Sequence, residues 1–508
     1  MRLERRIWPG ETVVRARHAW QRTPRITYCV NDWHVLNRSA IAVVNPIDLQ
    51  DRVCIVGAGS SGLAAAKNLR ALGVQVDVLE REVDLGGNWN YRSPAARVYR
   101  STHMISSKPF TQYPDFPMPK EFPDYPHHAQ VLQYLRSYAE HFGLLECIQF
   151  GTGVVRIEPV DEESDHTATN GHRSLGPYAS SRPRWLVTTS DGSRRLYGAV
   201  VIANGHHRCP KWPTWQGTFH GQMLHSAEYK TPDIFQGRRV LVVGAGNSGC
   251  DIAVEAAQNA LATFQSFRRG YYFIPKYLLG APADQGGDFL HRLRLPLWVR
   301  RKLTHLLLRL SVGRPEQYGL PRPDHQLFET HPIVNTLLLY YVRHGDIRPK
   351  PDIARLDGDW VQFVDGTREQ IDVIVCATGY RLVFPFIDHK WLNWFDGRPQ
   401  LYRNVFHPRC DTLFVAGMIQ PDSGIFSLVH WQTRAIGLFL KSLREGTQAA
   451  PMLQRLKATQ ATAEDLGSGI HYTASERHSI EVEHWSYMKR MKALVRQLVE
   501  ASEKKVHA

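Results

Sequence analysis

The stretch Arg52-Val53-Cys54-Ile55-Val56-Gly57-Ala58-Gly59-Ser60-Ser61-Gly62-Leu63, continued to Glu80, decides the fold. Val53 to Val56 is apolar at every position, the pattern of a strand buried on both faces of a parallel sheet. Gly57-Ala58-Gly59-Ser60-Ser61-Gly62 is a turn, and Leu63 to Leu72 reads as a helix that Gly73 stops. Val74 to Leu79 is a second strand, with Glu80 at its end. Strand, glycine turn, helix and strand make a βαβ unit. The same order returns from Arg238. Val240 to Val243 is the strand, Gly244-Ala245-Gly246-Asn247-Ser248-Gly249 the turn and Cys250 to Ala262 the helix. Thr263 to Phe267 is the second strand, and it runs into Arg268 and Arg269. Two such units predict an α/β chain of two doubly wound domains.

Each glycine in such a turn has its own task. The first permits the tight turn, the second lets backbone N–H groups approach a pyrophosphate, and the third lets helix and strand pack closely. The phosphates then lie at a helix N-terminus, where free N–H groups and the helix dipole favour negative charge. The sequence therefore predicts two Rossmann-type dinucleotide-binding domains. The strand ends separate their ligands. Glu80 stands 23 residues past Gly57, near the ~20 expected for a carboxylate on ribose hydroxyls. A carboxylate there repels a 2′-phosphate, so the first site is expected to take FAD or NAD. Arg268 stands 24 residues past Gly244, and two guanidinium groups suit a 2′-phosphate. The second site is expected to take NADPH. FAD beside NADPH implies hydride transfer to a flavin.

The chain has 508 residues, 43% of them hydrophobic and 22% charged, an ordinary globular balance that excludes collagen-like, coiled-coil and wholly disordered readings. No apolar run approaches the ~18 residues of a spanning helix, so no transmembrane anchor is expected. The net charge of +14 is scattered, and no zinc-finger spacing or RNP-like motif accompanies it. Nucleic acid is therefore not an expected partner. The seven cysteines are odd in number and never at CxxC spacing, which points to a reducing, cytoplasmic setting without a zinc site or disulfide framework. No HExxH, GxSxG or P-loop motif occurs, and no metal is expected. Residues 1–50 are an Arg-rich extension, and 160–184 read as a polar surface loop. The FAD-binding domain is discontinuous, 51–212 and 381–450, with the NADP-binding domain, 213–380, inserted in it. The tail, 451–508, is expected to pack as helices through Trp485, Tyr487, Met488, Met491 and Leu494. Segment 289–310 is basic and apolar together, and Pro296 breaks it. It is read as a helical insertion near a substrate channel, with weak membrane-surface contact as the alternative.

Phe219-His220-Gly221-Gln222-Met223-Leu224-His225-Ser226-Ala227-Glu228-Tyr229 fits FxGxxxHxxx[FY], just before the second glycine turn. This resembles the fingerprint of flavin-containing monooxygenases. Gly86-Gly87-Asn88-Trp89 is similar to that family's GGxW segment, and Cys376-Ala377-Thr378-Gly379-Tyr380 to its ATGY linker. Ala203-Asn204-Gly205-His206 and His331-Pro332-Ile333-Val334-Asn335 resemble further family segments, over about residues 51–445. The resemblance implies a dimethylaniline monooxygenase-like reaction. NADPH reduces FAD, O₂ gives a C4a-hydroperoxyflavin, and one oxygen atom passes to a small-molecule amine or sulfide. It also implies that Gly57, Ala58, Gly59, Ser60, Ser61, Gly62, Glu80, Gly87, Asn88, Trp89 and Met104 bind FAD. Gly244, Gly246, Asn247, Ser248, Gly249, Arg268, Arg269, Thr378 and Gly379 would bind NADPH. Tyr99 to Lys108 aligns with the segment that carries an active-site Asn beside the flavin, and here that position is Ile105. Ser106, Ser107 or His103 then supplies the missing donor, or the peroxide is less protected. A Baeyer–Villiger ketone monooxygenase, an uncoupled NADPH oxidase and a dinucleotide redox sensor stay open as rivals, as does a homo-oligomer.

Overall fold

The structure, a computed structural model, describes residues 45–160, 182–293, 295–460, 464–473 and 479–505. Most of the Arg-rich extension and of the polar loop 160–184 lies outside the described residues. Two five-stranded sheets organise the chain. In chain order their strands are β1 (Val53–Val56), β2 (Val76–Leu79), β3 (Ile148–Gln149), β4 (Ala199–Ile202), β5 (Gln222–His225), β6 (Arg239–Val243), β7 (Ala262–Ser266), β8 (Ile347–Lys350), β9 (Val373–Cys376) and β10 (Leu413–Val415). The first sheet runs β10-β4-β1-β2-β3 and the second β5-β9-β6-β7-β8. All pairings within them are parallel. The chain leaves the first sheet after β4 and completes the second. It then returns with β10 beside β4, where Leu413 pairs with Val200.

The apolar run at each βαβ start has the burial it predicts. Val53 and Ile55 join one core, Cys54 and Val56 another, on opposite faces of the first sheet. In the second sheet Val240 and Val242 face one core, Leu241 and Val243 the other. Such strands are buried on both faces because helices and antiparallel sheets cover them. Each half carries its own antiparallel meander, Val154–Val160, Arg184–Thr189 and Arg194–Tyr197 in the first, Ile353–Gly358, Trp360–Phe363 and Arg368–Gln370 in the second.

The helices that matter for the site are α1 (Ser60–Arg70), α2 (Asn247–Asn259), α3 (Ala283–Arg292), α4 (Leu297–Ser311), α5 (Phe426–Glu445), α6 (Ala449–Gln460) and α7 (His484–Ser502). Helices α1 and α2 each begin three residues earlier than the glycine pattern suggests. The last residues of each turn already have helical geometry, which places the third glycine inside the helix. In the tail, Tyr487, Met491 and Leu494 are buried in the first core, and Met488 packs against it. Trp485 instead turns toward α3, donating to Asp288 at 2.7 Å. Pro296 is the N-cap of α4. Across α4, Trp298, Leu306 and Leu310 are exposed at 62%, 55% and 77%, so this face packs against nothing among the described residues. No described helix is long and apolar enough to cross a membrane. Cys54, Cys147, Cys250, Cys376 and Cys410 are free thiols.

The third glycines admit no side chain. A Cβ on Gly62 would lie 1.8 Å from the Gly57 carbonyl oxygen, and one on Gly249 2.2 Å from that of Gly244. Gly143, at φ +59°, has open space around its Cβ position. Gly143→Ala should therefore lower stability by only about 1–2 kcal/mol, the cost of a left-handed alanine. Gly62→Ala and Gly249→Ala should each exceed about 3 kcal/mol, since backbone must move. Denaturant midpoints of the three variants check this. Equal shifts would show that the close approach does not hold the turn.

Candidate active site

Both glycine turns are built alike. Gly57 has φ +102° and Gly244 φ +105°, conformations that an L side chain rarely adopts. A Cβ on Gly57 would stand 2.9 Å from the Ala203 oxygen, and one on Gly244 2.7 Å from the Ala377 oxygen. Ala203 and Ala377 begin the two linker segments, so each turn faces a linker. Gly59 and Gly246 are N-caps of α1 and α2, with no side-chain cap and no acid in the first turn of either helix. The helix N-terminal N–H groups are thus left to an outside anion.

On the first side, Gly86 donates to the Ala58 oxygen at 3.0 Å. A Cβ on Gly87 would approach the Gly59 Cα to 3.1 Å. Two bare glycine backbones therefore line one cradle that side chains would fill. Glu80 is buried at 7% exposure. Its Oε2 accepts from the Ala58 N–H at 2.6 Å and its Oε1 from Glu82 N–H at 2.9 Å. Burial raises its pKa, while these two N–H groups oppose the rise. Each oxygen keeps a lone pair for a hydroxyl. Asn88 Oδ1 accepts from Arg97 N–H at 2.7 Å. Trp89 is half-buried against the core that includes Met104. A Cβ on Gly417 would meet the Ser61 Oγ at 2.2 Å, which brings the segment after β10 onto the start of α1.

On the second side, the predicted residues divide. Asn247 spends its amide on structure, donating to the Pro332 oxygen at 2.9 Å and accepting from Val334 N–H at 2.8 Å. The His331-to-Asn335 segment is thereby pinned to the turn. Arg268 is exposed and has no partner among the described residues. Arg269, expected to assist Arg268, pairs with Asp324 at 2.8 Å. Thr378 Oγ1 donates to the Lys211 oxygen at 2.5 Å, and Lys211 N–H donates to Gly379 at 2.9 Å. The residues after the two linkers pair as a short antiparallel ribbon, Tyr380 with Pro210 and Arg381 with Cys209.

Two residues absent from the sequence reading emerge here. Asp251, on α2, accepts from Tyr99 Oη at 2.8 Å and from Asn335 Nδ2 at 2.7 Å. It is half-buried, and desolvation raises its pKa. Gln265 donates to the Gly244 oxygen at 3.0 Å. Asp251 lies four residues after Asn247, one helical turn along the same face, the one signal that marked it.

The fingerprint acts as a fastening between the halves. His225 is fully buried, its Nδ1 accepting from Ala227 N–H at 3.1 Å. Burial pushes its pKa down to about 4. Tyr229 donates to Glu255. Lys230 Nζ donates to the Ala96 and Val98 oxygens at 3.0 and 3.1 Å, and lies 5.3 Å from the Tyr91 ring centroid. Desolvation lowers its pKa to about 8. Arg97, in the loop so gripped, donates to the His207 and Arg208 oxygens at 3.2 and 2.9 Å. One chain of contacts thus runs from the second half through loop 96–98 to the first linker.

In the segment expected beside the flavin, the candidate donors differ in their partners. Ile105 is half-buried and offers no donor. Ser106 Oγ pairs with Thr111 Oγ1 at 2.8 Å. His103 is exposed, with Nδ1 on the Ser101 oxygen at 2.8 Å. Ser107 is fully buried, and its Oγ has no hydrogen-bond partner among the described residues. A narrow cleft at the first linker is lined by Asn204, His206, Leu382, Phe384, Gly417 and Met418. A 530 Å³ cavity between Asp115, His430, Trp431, Val495 and Val499 includes none of the expected site residues.

Two glycine-cradled helix N-termini, one behind Glu80 and one beside Arg268, define a protein with two dinucleotide-type sites. Residues 50–500 match the flavin-binding monooxygenase-like family, and the chain belongs to it. It is similar to the chimpanzee dimethylaniline monooxygenase [N-oxide-forming] 2, 33% identical over 409 residues, which cover 77% of this chain and 74% of that one. Among solved structures, garlic (Allium sativum) S-allyl-L-cysteine S-oxygenase superposes with TM-score 0.57 at 19% identity, over 92% of this chain and 91% of that one. Cyclohexanone monooxygenase from Rhodococcus sp. Phi1 bound to NADP⁺ superposes with TM-score 0.63 at 16% identity, over 91% and 100%. The protein is an FAD-dependent NADPH monooxygenase.

His225 gives a pH test of the fastening. Its pKa of about 4 lies below the ordinary 6.5. A histidine held neutral contributes stability that is present above the unfolded pKa and lost as pH falls through the folded one. The loss should approach about 3 kcal/mol between pH ~6.5 and ~4. His128, His407, His430 and His484 shift in the same direction. The reading is therefore the difference between wild type and His225→Asn in denaturation curves across that window, and a constant difference would refute it.

Proposed function

We propose that the protein uses NADPH and O₂ to oxygenate a nucleophilic nitrogen or sulfur of a small molecule. The observation that carries this reading is the fastening of two matched dinucleotide cradles by the fingerprint and the paired linkers. The cradles fit the cofactors. Gly59 and Gly87 leave a groove that a Cβ would fill, and both helix N-termini are uncapped. FAD, when bound, supplies electron transfer from NADPH and the activation of O₂.

The chain's own residues do the rest. Gly57 to Gly62 and Glu80 hold the flavin dinucleotide, with the carboxylate fixed by main-chain N–H groups so that it meets ribose hydroxyls without rearranging. Gly244 to Gly249 receive the second pyrophosphate, and Arg268 its 2′-phosphate. Lys230 and the Tyr99–Asp251–Asn335 bridge keep the halves in register. Ile105 and the buried cleft walls exclude water, and Ser107 carries a hydrogen-bond donor to the flavin side. Nitrogen or sulfur is preferred over a ketone because the fingerprint ends in Tyr229-Lys230, where ketone-oxygenating relatives of this architecture carry Trp-Pro or Trp-Asp. The name of the chimpanzee relative, N-oxide-forming, supports the same class. The exposed Trp298, Leu306 and Leu310 face of α4 carries Lys302 and Arg309 as well, and we read it as a weak contact for an anionic lipid surface.

Purified protein should be yellow and should release FAD on denaturation. A colourless preparation that takes up no FAD refutes the reading. Arg268→Ala should raise the KM for NADPH about ten- to a hundred-fold, the value of a charge-assisted phosphate contact, and leave that for NADH nearly unchanged. Equal losses for both coenzymes would remove Arg268 from the site. On sedimentation with phosphatidylserine vesicles, wild type should pellet at low salt, and Trp298→Ser with Leu306→Ser should not.

A further inference from the structure

Helix α3 belongs to the NADPH-binding half, yet its first turn reaches the flavin-side segment. Asp284 Oδ2 accepts the Ser107 N–H at 2.6 Å. Two further atoms at this contact are buried without hydrogen-bond partners among the described residues, Asp284 Oδ1 and Ser107 Oγ. One is an acceptor and the other a donor. Buried polar atoms are rarely left unpaired, because each unmade bond retains its full desolvation cost. Burial raises the Asp284 pKa, and the Ser107 N–H opposes that rise.

Asp284 is not free to move elsewhere. Ala283 N–H donates to the Lys276 oxygen at 2.9 Å, and Tyr125 Oη, on the flavin side, donates to the same oxygen at 2.5 Å. Further along α3, Asp288 accepts from Trp485 Nε1 at 2.7 Å, and His291 lies 3.2 Å from Glu483. A Cβ on Gly287 would sit 3.6 Å from the Trp485 ring. The same ring meets Phe110 at 5.9 Å between centroids. The helix is wedged between the Ser107–Phe110 segment and the tail helix α7.

We propose that Asp284 is a positioning residue that aligns Ser107 from across the domain boundary, so that the donor facing the flavin is set by the NADPH-binding half. This rests on the functional reading above, which places the Ile105–Ser107 segment beside the flavin. In a chain with Ile105 where the family carries Asn, the donor comes from the next residue but one. Its orientation is supplied by a carboxylate outside the FAD-binding half. That carboxylate caps the Ser107 amide and leaves the single proton of the serine hydroxyl uncommitted.

The test uses FAD-loaded wild type, Ser107→Ala, Asp284→Ala and Asp284→Asn. Two quantities are measured, hydrogen peroxide released per NADPH consumed and the visible absorption spectrum of the bound flavin without NADPH. Asp284→Ala is expected to raise the peroxide ratio at least threefold and to shift the flavin band as Ser107→Ala does. Asp284→Asn should return both to near wild type, since its side-chain oxygen still accepts from the Ser107 N–H. An unchanged ratio and spectrum in Asp284→Ala, even with a lowered melting temperature, would overturn the proposal and leave a structural contact only. So would a changed Asp284→Ala that asparagine does not rescue. If the alanine variant fails to fold, Asp284→Ser, too short to reach Ser107, is read in its place. Failure of the functional reading looks different, because wild type itself would then hold no FAD and consume no NADPH.

Discussion

The absent side chains at Gly62 and Gly249 are the constraint on which the rest depends. A helix can start directly at the end of a buried strand only if its first turn presses against the turn that precedes it. Here that approach is so close that a Cβ would lie 1.8 and 2.2 Å from the carbonyl oxygens of Gly57 and Gly244. The first glycine of each turn is under a similar demand from the facing linker. Once both are met, a helix N-terminus and its free N–H groups point out of the sheet edge where strand order reverses. The cofactor sites are then consequences of packing, and two copies of the same packing give two sites.

Two sites make a catalyst only if their separation is held. The parallel sheets cannot do this, because each is complete within its own half. The work falls to polar contacts that cross the boundary. Lys230 grips two carbonyl groups of loop 96–98, Tyr99 crosses to Asp251, and the linker ends pair as a ribbon. Several of these groups are desolvated, which lowers the pKa of Lys230 and raises those of Tyr99 and Asp251. Removing one partner from such a contact leaves the other buried and unsatisfied, so these contacts are costly to break.

The tail adds a third party. Gln420 and Glu481 pair in parallel, and Asp422 accepts from His484 N–H at 2.9 Å. This carries the C-terminal segment into the interior beside α3. Burial among the neighbouring carboxylates Glu483 and Glu481 pushes the Asp422 pKa up to about 7. Helix α7 then packs on α5, where Gln432 links the Tyr487 hydroxyl at 2.7 Å to Gly417 N–H at 2.9 Å. The last strand-to-helix connection of the first half is thereby braced by residues far along the chain.

By itself the sequence determined the two βαβ units, the faces of β1 and β6, the residues of both glycine turns and the family. These rest on local patterns, since the apolar run, the glycine spacing and the strand-end charge all fall within thirty residues. The departure at Ile105 was equally legible, because it sits in a gapless motif. Tertiary structure alone decided what the polar residues do. Asn247 turned out to anchor a distant segment, and Arg269 to pair with Asp324. Asp284 meets Ser107 across 177 positions of chain. Asp251 carries only its one-turn spacing from Asn247, and the acid cluster of the tail carries no periodic signal. A hydrogen bond is specified by two short side chains meeting at one distance, and no spacing along the chain encodes a meeting between elements that only the packed core brings together.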